Sequence, residues 1–227
     1  MAYEIGLALF LRSQDGVLTN KAHETLLMFF DTFGLSARGG LFLGGAAIIV
    51  VLLIWHVLTH DPWRLDRTTP ALMAAESVAM TVPLLILGLV IGGAAAMAGG
   101  VRPPPPDLAS MNIWARLTVS IGAGLYEELL FRMMLIAVLH TLLVDVGKLP
   151  SLVGAGIAIV VSAAAFTWYH PLRDEAGVLL WRRVGFYSLA GLYFGVVYVA
   201  RGFGIVVATH AFYDILVVSM LPDPEGG

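Results

Sequence analysis

The sequence predicts an all-α integral membrane protein: a polytopic bundle of about six transmembrane helices with one or two further helices at the interface. Three observations carry this expectation. Hydrophobic residues make up 59% of the 227 positions and charged residues only 13%, giving a mean hydropathy of +0.86, far above the usual range for a soluble globular domain. Long apolar runs recur along the chain, several of them near the roughly 20 residues a helix needs to cross the hydrocarbon core. The runs are separated by short turns marked by Pro, Gly and charged residues, which leaves no room for a second, soluble domain.

Residues 1–38 mix Leu27, Met28, Phe29, Phe30, Phe33 and Leu35 with Lys21, His23, Glu24 and Asp31, a pattern for an amphipathic helix lying at the interface or packed on the bundle. The apolar run Ile5–Leu11 follows Glu4 instead of a positive charge, so it reads as a retained segment and not a cleaved leader. The first span is expected from Leu41 to Leu58, ended by His60-Asp61-Pro62-Trp63-Arg64 with its interfacial Trp. A second, from Ala71 to Met97, exceeds the hydrocarbon thickness and contains Glu76 and Pro83, which predicts a tilt or kink.

Pro103 to Pro106 impose an extended geometry outside the membrane. They divide one integral membrane domain, 1–227, into an N-terminal part (1–106) with the interfacial helix and two spans, and a part (107–227) with the remaining spans. Those are expected at Met111–Val144, Ser151–Tyr169, Leu179–Ala200 and Phe203–Leu221. With six spans, Lys/Arg positions 12, 21, 38, 102, 173, 182 and 183 fall on the side of the N-terminus and 64, 67, 148 and 201 on the other, a bias that predicts cytoplasmic termini; the expected location is a bacterial inner membrane.

The net charge of −3 offers no basic surface for nucleic acid. Because the chain has no cysteine, disulfides, thiolate metal sites and cysteine nucleophiles are excluded, and any chemistry must use oxygen and imidazole. The expected partners are membrane lipid and a polypeptide; oligomeric state is unreadable.

Ionisable residues inside apolar spans are costly, about 2.5–3.5 kcal/mol each at a helix centre on insertion scales, and so mark function or pairing. Glu127, Glu128 and Arg132 stand together in the third span. Glu128 and Arg132, at i and i+4 with the acid first, suit an intrahelical ion pair. Glu127 points about 100° away, towards the side of Leu130, Phe131 and Met134 with no helix-internal counterion, the setting of a general base or acid. His170 ends its span before Pro171, one turn after Phe166, which would form an aromatic wall for a pocket. His210 and Asp214 lie one turn apart on the last span, where the acid can orient the imidazole. Glu76 is an intramembrane acid without an assigned role, able to pair with a motif residue or line an entry path. The Gly- and Ala-rich runs at 92–100 and 154–165 suit close helix packing.

Over residues 111–221 the chain resembles the CPBP family of intramembrane proteases (CAAX protease and bacteriocin-processing enzymes, also called the Abi family). The resemblance rests on three motifs in order: Glu127-Glu128-x-x-x-Arg132, Phe166-x-x-x-His170 and His210-x-x-x-Asp214. It implies a glutamate-type endopeptidase in which Glu127 and His170 activate a water, His210 and position 214 stabilise the oxyanion, and no cofactor is needed. Asp214 departs from the Asn of prenyl-protein members. A carboxylate donates a hydrogen bond only when protonated, so Asp214 is expected to orient His210 instead. The readings set against this are zinc held by Glu127, His170 and His210, and a non-catalytic binding, immunity or proton-relay protein.

Overall fold

The computed structural model describes residues 2–13, 16–17, 37–60, 68–92, 111–174 and 176–220, with isolated positions between 22 and 66. Its helices are α1 (Ala2–Phe10), α2 (Ala37–Thr59), α3 (Thr68–Gly92), α4 (Ile113–Val146), α5 (Ser151–Tyr169), α6 (Trp181–Arg201) and α7 (Phe203–Ser219). A two-residue antiparallel pairing of Arg12–Ser13 with Gly16–Val17 turns the chain after α1. By length and composition α3, α4, α5 and α6 can each cross a membrane, α7 is a shorter apolar helix of 17 residues, and α2 runs for 23. The protein is a polytopic helical membrane bundle.

Several expected boundaries move. The spans placed at Leu41, Met111 and Leu179 begin instead at Ala37, Ile113 and Trp181, the last because Leu180 is held extended by a backbone bond from its N–H to the Leu172 carbonyl. Asn112 caps α4 by accepting from the Ala115 amide at 2.9 Å. The second span is described to Gly92; its expected end at 93–97 and the prolines at 103–106 lie outside the described residues. So does most of the amphipathic segment between Lys21 and Leu35. The earlier helix α1 is packed on the bundle: Tyr3, Glu4 and Leu7 are buried while Ile5 and Leu9 face outward.

Small residues set the spacing. A Cβ on Gly124 of α4 would lie 2.8 Å from the Ala211 amide of α7, and one on Gly191 of α6 would lie 3.0 Å from the Ala163 backbone of α5. These helices therefore touch backbone to backbone, the usual route to tight association where lipid removes the hydrophobic drive. Polar ties add to it. On α3, Ser77 donates to the Ile205 carbonyl of α7 at 3.4 Å and the Thr81 hydroxyl is shared between the Ser77 carbonyl at 2.9 Å and the Thr209 carbonyl of α7 at 3.3 Å, so the two helices run parallel in a fixed register.

Helix α4 changes pitch at the residues that matter most. It is α-helical to Glu128, then winds as a wider π-helix over Leu129–Ile136 and again over Thr141–Val146. Such wide turns are uncommon and concentrate at functional positions. The wider turn also separates residues that a regular helix would align: Glu127 is buried while Met134, seven positions on, is 46% exposed. The expected shared face of Glu127 and Met134 is therefore lost. On the neighbouring helix Ser162 donates to the Phe131 carbonyl at 2.7 Å, tying the wide turn to α5.

Candidate active site

The three motif-bearing helices meet, and their polar side chains form one buried constellation. Glu127 Oε2 lies 3.6 Å from His170 Nε2 and 4.0 Å from His210 Nε2, so a single carboxylate from α4 faces an imidazole from the end of α5 and another from the middle of α7. All three residues are buried.

Each ring is oriented by its other nitrogen. His170 Nδ1 is 2.7 Å from the Phe166 carbonyl. Since a carbonyl only accepts, that nitrogen carries the proton and Nε2 is the atom directed at Glu127. His210 Nδ1 is 2.7 Å from Glu128 Oε1, the same oxygen that accepts from Arg132 at 3.1 Å. Arg132 also donates to the Gly191 carbonyl at 3.2 Å, and its guanidinium sits 4.2 Å above the Phe166 ring. The predicted Glu128–Arg132 pair thus exists, fully buried, and its carboxylate does a second task that the spacing did not reveal.

That task bears on Asp214. Its Oδ2 lies 3.7 Å from His210 Nε2, on the opposite side of the ring from the Glu128 bond. The hydrogen bond to Nδ1 comes from Glu128, while Asp214, expected to orient the ring, stands at ion-pair distance from its other nitrogen. Glu128 reaches Nδ1 across the contact between α4 and α7.

Beside the imidazoles lies a cavity of about 60 Å³, with His170, His210 and Asp214 at its polar end and Leu84, Phe186 and Val217 among its apolar walls. That is space for a few water molecules. Phe166 lines it as predicted. Glu127 is not among the residues that line it, and its Oε2 faces the Nε2 atoms of both rings. Among the described residues no group of three or more His, Asp or Glu is arranged to hold a metal ion.

Two residue groups were outside the reach of motif reasoning. Helix α6 carries no motif, yet its Tyr187 stacks on His170 with centroids 4.0 Å apart and its Phe194 stacks on His210 at 4.6 Å. Their seven-residue spacing was the available signal, masked by the apolar composition of the whole span. Glu76, the unassigned acid, pairs with no motif residue in the bonds that the structure shows for it. It forms a bidentate pair with Arg201 at the opposite end of α6, with Nη2 to Oε2 at 2.7 Å.

Comparison with known proteins agrees with the geometry. Residues 109–216 match the family described as Rce1-like, type II CAAX prenyl endopeptidase, a match that takes in all three motifs. No curated protein and no solved structure matches the chain. The segment from 109 to 216, with its Glu-Glu-Arg, Phe-His and His-Asp motifs folded around one buried site in the membrane, is a domain of the CAAX protease family.

Proposed function

We propose that the protein is an intramembrane endopeptidase that cleaves a membrane-associated or C-terminal segment of a polypeptide by an activated water, without a cofactor. The observation that carries this reading is the convergence of Glu127 with the Nε2 atoms of His170 and His210, at 3.6 and 4.0 Å, beside a cavity that reaches both rings. A water bonded to Glu127 and to His170 Nε2 loses a proton to this pair as its oxygen attacks the scissile carbonyl. His210, with Nδ1–H committed to Glu128, donates Nε2–H to the developing oxyanion when the ring is protonated. The proton held on Glu127 then passes to the leaving amine as the C–N bond breaks. Asp214 faces the same Nε2 at 3.7 Å. In this reading the termini face the cytoplasm of a bacterial cell.

Peptides from membranes of cells expressing wild type or Glu127→Ala, compared by mass spectrometry, test the activity. Uncut precursors should accumulate only in the variant, and identical profiles would overturn the reading. Metal analysis of the purified protein tests the mechanism separately: stoichiometric zinc whose removal stops cleavage would replace Glu127 as the activating base.

A further inference from the structure

Helix α6 lies partly outside any motif logic, yet it touches both imidazoles in the same way. Tyr187 and Phe194 are seven residues apart, two turns of one helix face. The Tyr187 ring lies nearly parallel to His170, at 24° and 4.0 Å, and the Phe194 ring nearly parallel to His210, at 20° and 4.6 Å. Between them, on the same face, stand Ala190 and Gly191, both buried. Their small size lets Arg132 reach the Gly191 carbonyl and lets α5 approach at Ala163.

Each ring is thereby confined in two independent ways. His170 is held along its edge by the Phe166 carbonyl and across its face by Tyr187, with the Phe166 ring 4.4 Å away on a tilted plane. His210 is held along its edge by Glu128 and across its face by Phe194. A hydrogen bond to one nitrogen restrains the two side-chain torsions jointly but still permits a coupled rotation of the ring plane. Contact with a flat, packed partner removes that rotation, and with it the freedom of Nε2 to swing away from Glu127. Burial makes the confinement stiff, since Tyr187 and Phe194 are at most 5% exposed.

We infer that Tyr187 and Phe194 are the positioning residues of the two site imidazoles, so that α6 sets the planes in which His170 and His210 meet the reacting carbonyl. The inference rests on the endopeptidase reading and deepens it. Positioning of this kind acts on the bound complex, so its loss lowers turnover and leaves substrate affinity nearly untouched. Misplacement of a reacting group by about 1 Å can cost up to about 100-fold in rate.

The test uses full-length protein in lipid nanodiscs and a peptide that wild type cleaves and Glu127→Gln does not. Tyr187→Leu and Phe194→Leu, which keep apolar bulk and remove the flat face, should lower kcat by about 10- to 100-fold with KM changed less than about 3-fold. Tyr187→Phe and Phe194→Tyr, which restore a ring, should recover most of the rate. A raised KM at unchanged kcat would make these residues substrate contacts and overturn the proposal. So would full activity in the Leu variants, or failure of the ring-bearing variants to rescue. If the Leu variants do not fold, Tyr187→Met and Phe194→Met take their place, and solid-state NMR of labelled histidine reads ring order directly. It should fall for His170 in the position-187 variant and for His210 in the position-194 variant, and unchanged order in both would refute the inference. A wild-type protein that cleaves no peptide would instead refute the endopeptidase reading, and the proposal with it.

Discussion

Helices α2 and α6 are of similar length, 23 and 21 residues, but they are held in the molecule in opposite ways. Along α2 the aliphatic side chains from Ile49 to Leu58 are exposed, with Ile48 buried beside α1. Helix α6 buries Phe186, Tyr187, Ala190, Gly191, Phe194 and Val197 along one face, accepts a guanidinium bond at Gly191 and donates from Tyr193 to the Met80 carbonyl at 2.6 Å. The contrast teaches that hydrophobicity puts a helix in the bilayer without saying where it packs. In lipid the neighbour is chosen by small residues that permit backbone approach and by polar groups that find partners.

Substitutions rank that contrast. Arg132→Ala should do the most damage, because it strands the Glu128 carboxylate in a fully buried place. Unpairing a buried ion pair costs about 3–5 kcal/mol, which thermal unfolding in lipid would register as a large drop in Tm, and the freed Glu128 should also let His210 turn. An Arg132→Ala protein of wild-type stability would break the argument that this pair anchors the motif helices. Next comes Gly191→Leu, whose side chain meets the Ala163 backbone at the α5–α6 contact. Overpacking of this kind costs about 1–3 kcal/mol, measurable by denaturant titration in mixed micelles, whereas the open position at Gly185 on the same helix should accept Leu with little change.

A smaller effect is expected from Thr81→Val, which removes the hydroxyl shared between the Ser77 and Thr209 carbonyls while keeping the shape. Interhelical bonds of this type average about 0.6 kcal/mol, so a double-mutant comparison with Ser77→Ala should show small and nearly additive losses. The least should come from Val50→Leu on the outward face of α2, within about 0.5 kcal/mol by the same unfolding measurement. A loss at Val50 matching that at Gly191 would show that α2 is packed as tightly as α6 and would erase the distinction.

Much of this was legible in the chain. The apolar runs give the spans to within a few residues, since the hydrocarbon thickness imposes their length. Glu128 and Arg132 were readable as a pair because both partners lie on one helix. The resemblance implied that Glu127, His170 and His210 share a site; what escaped were the contacts between helices that orient them. The bond from Glu128 to His210 joins positions 82 residues apart, and nothing in either motif specifies it. The stacking of Tyr187 and Phe194 was hidden because aromatic residues in an apolar span look alike whether they meet lipid or an imidazole. The wide turn after Glu128 was equally unmarked, and it undid the regular face on which Met134 had been placed.

By itself the sequence determined that this chain crosses a membrane as helices and that the ionisable residues of its three motifs fall on three of them, because transfer free energy and helical period act locally and can be read from neighbouring residues. Only the tertiary structure decided which carboxylate holds which imidazole and which helix supplies the flat wall behind both. Those choices depend on helix rotation and backbone approach, set by glycines and polar contacts between segments that are distant in the chain.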